Sequence, residues 1–338
     1  MADSGGYWLN LAEAQKLTQT MLIPGVIQEN IRQGGILDML PLTQVIGQSI
    51  TWNRENAERL GSAAAIGDVL TWSDNVTYSQ QSRELTIIYD QTPLNHYVQE
   101  VYGSHNNYRA TVLSGMVKGM VRKIEDLSIY GDVTYGTNEF DGLHAWAEEN
   151  TGDLDIDEGE AALSLSNLRV LEDAMQYGVD FYLISKALGR RFDSFYQEEG
   201  VAPANVSSMG SFVWGQNDAG KRTSFWNGVE LKRSDYMVAE QANTGVGSDA
   251  RAKQSSGTNQ YSLIAVKLGQ VREENPGMTM AFGGEKHDLG ELLRLTVIPD
   301  LEDYDAEGLR LVSYLALIGG SSKSVGRIFD ITDTPIQA

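Results

Sequence analysis

The sequence predicts an α+β fold on three observations. Apolar residues recur at helical spacing along one long stretch, from Tyr108 to Leu127. Alternating or continuous β-favouring runs lie on both sides of it and dominate the C-terminal part, from Glu291 onward. No glycine fingerprint opens a helix behind an early strand, as a dinucleotide-binding α/β unit requires.

In chain order, Leu11, Leu17, Met21, Ile27 and Ile31 are loosely helical in spacing, but Pro24-Gly25 interrupts them. Proline has no N–H to give and clashes with the turn before it, so the segment predicts an arm with short helical pieces. From Thr43 the period becomes two in "TQVIGQSITWNRE", and a second strand is expected in "RELTIIYDQT", Arg83 to Thr92. Between them "GSAAAIGD" offers small residues and few core signals. Residues 50–90 thus predict a long two-stranded excursion. A lone hairpin of that size is marginal in water, so the stretch from Trp52 to Tyr89, and the first forty residues, are expected to be shaped by neighbouring molecules rather than by their own body.

The strongest helix follows. Tyr108, Val112, Met116, Met120 and Ile124 form one apolar row, and Leu113, Val117, Val121 and Leu127 the adjacent one. Gly115 and Gly119 inside it predict close approach of another backbone, and Gly131 is placed as a left-handed C-cap. Residues 148–160, "EENTGDLDIDEGE", carry seven carboxylates and read as a solvated loop. Ser164 or Ser166 can cap a helix that stops at Gly178. "DFYLIS" is a buried strand, "KALGRRFDSFYQEEG" a helix, "NGVELKRSDYM" a turn and strand, and "YSLIAVKL" a continuous strand. "ELLRLTVIP", "GLRLVSYLALIG" and "SVGRIFDIT" are strands, with "GGSSKSVG" expected as a hairpin turn between the last two.

Composition narrows the function. The formal charge is −20, from 46 acidic and 26 basic residues, the reverse of the balance expected of a monomeric nucleic-acid binder. Cysteine is absent, which removes disulfides, thiolate metal sites and cysteine nucleophiles. The start, "MADSGGYWLNLAEAQ", has neither the basic nor the apolar region of a signal peptide. No apolar run approaches the ~20 residues of a membrane span. A soluble chain made in a cytoplasm is expected.

Motifs for chemistry are weak. Asp153, Asp155 and Asp157 hold places one, three and five of a calcium loop, but the sixth and twelfth are Glu158 and Ser164 instead of glycine and glutamate. His96, His105, His144 and His287 have no zinc-site spacing. "GGSSKSVG" lacks the order of a phosphate loop, and no nucleophile elbow exists. In "LSIYGDVTYGTNEFDGLHAW", Asp132, Glu139 and Asp141 could pair as acid and base, but no nucleophile, metal or oxyanion donor accompanies them. They are expected to be turn formers. Catalytic, cofactor-binding and metal residues are none, and no cofactor is expected.

The order of elements, more than any one motif, resembles the major capsid proteins of tailed bacteriophages with the Hong Kong 97-type shell fold. The helix ending in "IYGD" and followed by "FDGLHAW" is similar to the end of that family's spine helix. "DFYLISKALGRRFDSF" looks like its axial strand and helix, and "NGVELKRSDYM" and "YSLIAVKLG" resemble later strands. The resemblance implies an N-terminal arm (1–42), an extended β-hairpin loop (43–92), a peripheral domain with the long spine helix (93–147 and 286–338) and an axial domain (148–285). It also implies a subunit that is not an enzyme. Copies would form hexamers and pentamers of an icosahedral shell, part of a virion assembled in the host cytoplasm, around double-stranded DNA packaged without sequence specificity.

Some members of that family join subunits through a lysine in the extended loop and a distant asparagine. Here no lysine lies between Lys16 and Lys118 and no asparagine follows Asn275, so non-covalent joins are expected. No long charged helical segment precedes the arm, which suggests a separate scaffolding protein, or removal of such a segment. A portal, and a cement protein, would be further partners; no membrane is involved. Trp52, Arg54, Arg59 and Trp72 are the candidates for contact between subunits, since Trp and Arg dominate interface hot spots, although the tryptophans could instead pack within the hairpin. The alternatives are an encapsulin-like compartment, which shares the fold, and a soluble hydrolase using Asp132 and Asp141.

Overall fold

The computed structural model describes residues 32–55, 61–70, 77–102, 108–134, 136, 138–150, 152–198, 212–216, 222–241, 253, 258–271, 276–283, 292–302 and 304–337. Among these the fold is α+β: a five-stranded sheet, a seven-stranded sheet, a two-stranded hairpin and helices.

The expected strand from Thr43 is two strands. β1 (Leu42–Val45) pairs in parallel with β11 (Met278–Gly283). Gly47, at φ 119°, then turns the chain into β2 (Ser49–Glu55). β2 pairs antiparallel with β3 (Tyr78–Glu84), from Ser49 opposite Glu84 to Glu55 opposite Tyr78. The second expected strand divides as well. β3 completes the hairpin, and β4 (Thr86–Asn95) leaves it to pair with β13 (Ala306–Gly319). Thr86 to Tyr89 are therefore ordered by their own sheet. The root of the arm is too: Ile36 and Leu40 are buried in the main core, and Glu125 accepts hydrogen bonds from Ile36 N (2.8 Å) and Leu37 N (3.2 Å). The expectation that neighbours shape all of these residues is corrected for both segments.

After α1 (His96–Tyr102), the spine helix α2 (Tyr108–Tyr130) lays Met116, Met120, Ile124 and Leu127 into the core, with Val112, Leu113 and Val117 packed at its edge. Its glycines differ from expectation. Among the described residues no atom lies within 4 Å of where a Cβ on Gly115 would stand, and Gly119 has only Asp90 Oδ2 at 4.0 Å, so no described backbone of this chain approaches either. Gly131 is not in the left-handed region. It is required because a Cβ there would strike the carbonyl oxygens of Phe140 and Leu127.

The acidic stretch is an edge strand rather than a loop. After a 3-10 turn, β5 (Asp155–Ala161) pairs in parallel with β14 (Val325–Thr332). Asp155 turns inward as a counter-ion to Arg327, which is what holds so acidic a strand on the sheet. α4 (Leu165–Ala174) begins after Ser164 and the chain turns at Gly178, φ 81°. β6 (Phe181–Ser185), α5 (Lys186–Glu198), β7 (Phe212–Gln216), β8 (Arg222–Trp226), β9 (Val229–Ser234) and β10 (Gln260–Val266) follow.

The seven-stranded order is β5-β14-β10-β6-β9-β8-β7; the five-stranded sheet runs β1-β11-β13-β12, with β12 spanning Arg294–Ile298 and β4 also on β13. Two expectations fail against this order. "GGSSKSVG" is no hairpin turn, because β13 and β14 lie in different sheets. The expected division at residue 285 does not follow the sheets either, since β11 belongs with β13 and β14 with β10.

The alternation within β6 and β10 explains their unbroken apolar runs. Phe181, Leu183, Ile264 and Val266 face a core shared with α2 and the five-stranded sheet. Tyr182, Ile184, Leu263 and Ala265 face a second core under α4 and α5. A strand covered on both faces has no solvent side to keep polar, and each of its buried Leu, Ile, Val and Phe side chains contributes roughly 1.5–3 kcal/mol.

Candidate functional site

The glycine- and acid-rich loop after α2 is built by hydrogen bonds to its own backbone. Asp132 Oδ1 accepts from Thr134 N at 2.7 Å, and Asp141 Oδ1 from Val133 N at 3.0 Å. Gly142 N donates to Gly131 O at 2.8 Å, and a Cβ on Gly142 would meet the carbonyls of Leu127 and Ile129. The two glycines bring α3 (Leu143–Glu148) against the end of α2. Glu139 lies 3.9 Å from Lys123 Nζ. These carboxylates shape a turn, and the arrangement presents no paired acid and base. Asp153, Asp155 and Asp157 do not converge: Asp155 is bound to Arg327, and Asp157 Oδ1 accepts from Gly159 N at 2.7 Å. Among the described residues no cluster of three or more His, Asp or Glu could hold a metal ion.

The hairpin is the other candidate. Both strands alternate strictly between exposed and half-buried positions. Ile50, Trp52, Arg54, Ser79, Gln81 and Arg83 face the body, and their neighbours face solvent. Trp52 packs against both the main core and the small cluster of Val45, Ala281 and Ile318. Arg54 Nη2 reaches Gly319 O at a long 3.5 Å. Burial lowers the Arg54 pKa, opposed by the Glu149 carboxylate and reinforced by the Arg83 cation. Trp52 Nε1 and Arg54 Nε are buried without a hydrogen-bond partner among the described residues. Arg83 lies over the Trp146 ring at 4.6 Å, pairs with Asp141 at 3.3 Å and also pairs with Glu149. A groove of about 1410 Å³ runs between the hairpin and β1, reaching Tyr177, Val271 and Lys323. Of the four expected contact residues, the structure brings Trp52 and Arg54 together on one strand face. Arg59 and Trp72 lie outside the described residues, as do His105 and His287.

Residues 61–70, beyond the paired strands, carry what sequence reasoning passed over. Ala65 to Asp68 form a turn, with Asp68 N donating to Ala65 O (3.1 Å), Ala65 N donating to Asp68 Oδ2 (2.8 Å), and Gly67 at φ 96°. A glycine in the left-handed region at the third place is the mark of a type II turn. That turn holds Ile66 wholly in solvent, and Val69 and Leu70 are 88% and 77% exposed. The legible signal was the pair Gly67-Asp68 directly behind an isoleucine.

No family model matches the sequence, and no curated protein matches it. Solved structures match along nearly the whole chain. The chain is similar to that of the holo-SrpI encapsulin complex from Synechococcus elongatus PCC 7942, with TM-score 0.67 and 14% identity over 97% of this chain and 98% of that one. It is similar to the capsid of the native GTA particle, with TM-score 0.58 and 13% identity over 98% of both chains. It is also similar to the capsid of Cyanophage P-SCSP1u, with TM-score 0.56 and 9% identity over 93% of both. The fold is therefore Hong Kong 97-like. At these identities it is the fold that is shared.

Proposed function

We propose that this chain is a major capsid protein that self-assembles into hexamers and pentamers of an icosahedral shell enclosing double-stranded DNA, with non-covalent joins and no enzymatic role. The observation that carries this reading is the bare turn at Ile66, an isoleucine wholly in solvent in the stretch between the two hairpin strands, in a chain that shares its fold with capsid chains over nearly its whole length. An apolar tip of this kind gains free energy only when something covers it. In a shell the cover is a second copy, and many modest contacts of this sort add up through high effective concentration. Trp52 and Arg54, with unpaired buried nitrogens, are the contacts proposed at the hairpin face, and Arg59 and Trp72 complete the set. The acidic balance suits a container wall that does not retain nucleic acid. A scaffolding protein, a portal and a cement protein are the proposed further partners, in a virion assembled in the host cytoplasm.

The similarity to an encapsulin chain, at TM-score 0.67, favours a second reading, a compartment around protein cargo. Size-exclusion chromatography and electron microscopy of the expressed chain test the shell: closed particles or capsomers are expected, and a monomer at every concentration overturns it. Particles from the native source separate the two readings, since a genome-enclosing shell holds double-stranded DNA and a cargo compartment holds protein.

A further inference from the structure

Helix α3 and the residues flanking it, Asp141 to Asn150, touch the hairpin and both sheets. Towards the five-stranded sheet, Trp146 Nε1 donates to Leu317 O of β13 at 3.3 Å. Towards the seven-stranded sheet, Asn150 Nδ2 donates to Val325 O, at the start of β14, at 2.8 Å. Between them the chain crosses from one sheet to the other through Gly320 to Ser324. Towards the hairpin, Trp146 carries the Arg83 guanidinium on its ring, and Glu149 and Asp141 pair with it.

His144 adds a buried polar chain. Arg327 Nη1 lies 2.7 Å from His144 Nδ1, and a guanidinium can only donate, so Nδ1 accepts and Nε2 carries the proton. That Nε2 faces Glu240 Oε2 at 3.3 Å. Glu240 also accepts from Tyr130 Oη at 2.9 Å and from Ser262 Oγ of β10. Burial first, and the Glu240 carboxylate second, hold the Tyr130 hydroxyl well above the ordinary phenol value, so it stays a donor. Asp155 of β5 grips Arg327 by two nitrogens. Asp155, Arg327, His144, Glu240 and Tyr130 thus join β5, β14, α3 and α2 in one directional chain.

Apolar packing is nearly non-directional, whereas hydrogen bonds weaken steeply off axis. We propose that α3 with its polar contacts is a joint: it locks the hairpin and the two sheets at one relative orientation, and that orientation sets the curvature at which copies of the chain close. The first half stands on the contacts alone. The second rests on the shell reading, because a closed assembly needs a fixed rotation from each subunit to the next.

The test uses the full chain with Trp146→Phe and Asn150→Ala combined, which removes one hydrogen bond to each sheet, leaves the Arg327–His144 contact in place and keeps an aromatic ring at 146; Asn150→Ala alone serves if the double variant does not fold. Hydrogen exchange on the unassembled chain is expected to quicken about tenfold in residues 138–150 and around Leu317 and Val325, while the centres of β6 and β10 stay protected. Unchanged exchange at those places overturns the joint. Electron microscopy of assembled variant particles is expected to show a broader or shifted diameter. A diameter distribution identical to the parent's, despite quickened exchange, overturns the control of curvature. Failure of the parent chain to assemble removes the shell reading and with it the curvature, and exchange still decides the joint.

Discussion

Replacing Arg327 by methionine tests the buried pair with Asp155 quantitatively. The Arg327 side chain is fully buried and that of Asp155 is 16% exposed. Arg327→Met keeps a long apolar stem and leaves two orphans, the His144 Nδ1 acceptor and the Asp155 carboxylate. An unpaired buried acceptor costs about 1–3 kcal/mol, and water can still reach part of Asp155, so the single change should cost about 3 kcal/mol. Asp155→Asn should cost about 4 kcal/mol, because the charge left behind has no exposure at all. Making both changes removes both charges and should cost about 4 kcal/mol in total, a coupling of about 3 kcal/mol. Each single loss is about a fifth or more of an ordinary folding stability of about 5–15 kcal/mol. Urea unfolding of the unassembled chain, followed by the fluorescence of its 6 tryptophans, measures all three. Costs that add to within about 0.5 kcal/mol would refute the pairing as an energetic unit.

Ile66→Ser should leave the urea midpoint of the subunit unchanged, since Ile66 touches no core of its own chain, yet block or delay particle formation; unimpaired assembly by light scattering would remove the tip from the interface. Burial holds the Glu125 carboxyl above its ordinary value, against the pull of the Ile36 and Leu37 amides and Lys232. Its stabilising contribution is therefore full below the unfolded value and lost as pH rises through the folded one, and Glu125→Gln should flatten that decline in urea midpoints taken from pH 4 upward. A steeper decline in the variant contradicts it. At a net charge of −20, subunits repel over about 8 Å at physiological salt, so particle yield by sedimentation should rise with salt or magnesium, and indifference to both counts against shell assembly by this chain. Boiled particles should run as one band on a denaturing gel, where a ladder would disprove non-covalent joining.

Elements set by local pattern were legible in the sequence. The two apolar rows of α2 and the double-sided runs of β6 and β10 sit where their periods put them, because burial dictates the residue at each place. What failed was pairing. Nothing in "LALIGGSSKSVGRIF" distinguishes a tight turn from a crossing between sheets, since both need small polar residues; β4, which pairs with β13, and β5, which pairs with β14, lie far away in sequence. "LDIDEGE" read as loop because its acids mask Asp155, whose partner Arg327 is 172 residues distant. His144 and Glu240 were equally invisible, being separated by 96 residues. Glycines misled in both directions: Gly115 and Gly119 promised a close backbone and meet none among the described residues, whereas Gly131 promised a left-handed cap and meets a close backbone instead. Gly131 and Gly142 are there for backbone crowding, which a sequence shows as the same glycine-and-acid mixture that marks a phosphate or metal loop.

The hairpin combines two opposite conditions, and their combination bears on how assembly starts. Its root is tied down by Arg83 to Asp141, Glu149 and Trp146, so the strands do not wander and little ordering entropy remains to be lost when a neighbour binds. Between its strands in sequence, Ile66 stands in solvent on a hydrogen-bonded turn, and on its inner face Trp52 Nε1 and Arg54 Nε have no hydrogen-bond partner among the described residues. A tip left floppy would bind weakly, and a tip folded home would have nothing to offer. In the proposed shell, anchoring at the root and exposure at the turn would let a subunit stay folded alone and still gain free energy on meeting its copy. Within the proposed assembly, the Arg83–Glu149 pair, whose carboxylate is 47% exposed, should influence the rate of assembly more than the stability of the subunit, since such a pair contributes about 0–1 kcal/mol to folding. Removing Asp141, only 12% exposed beside Arg83, should cost stability as well.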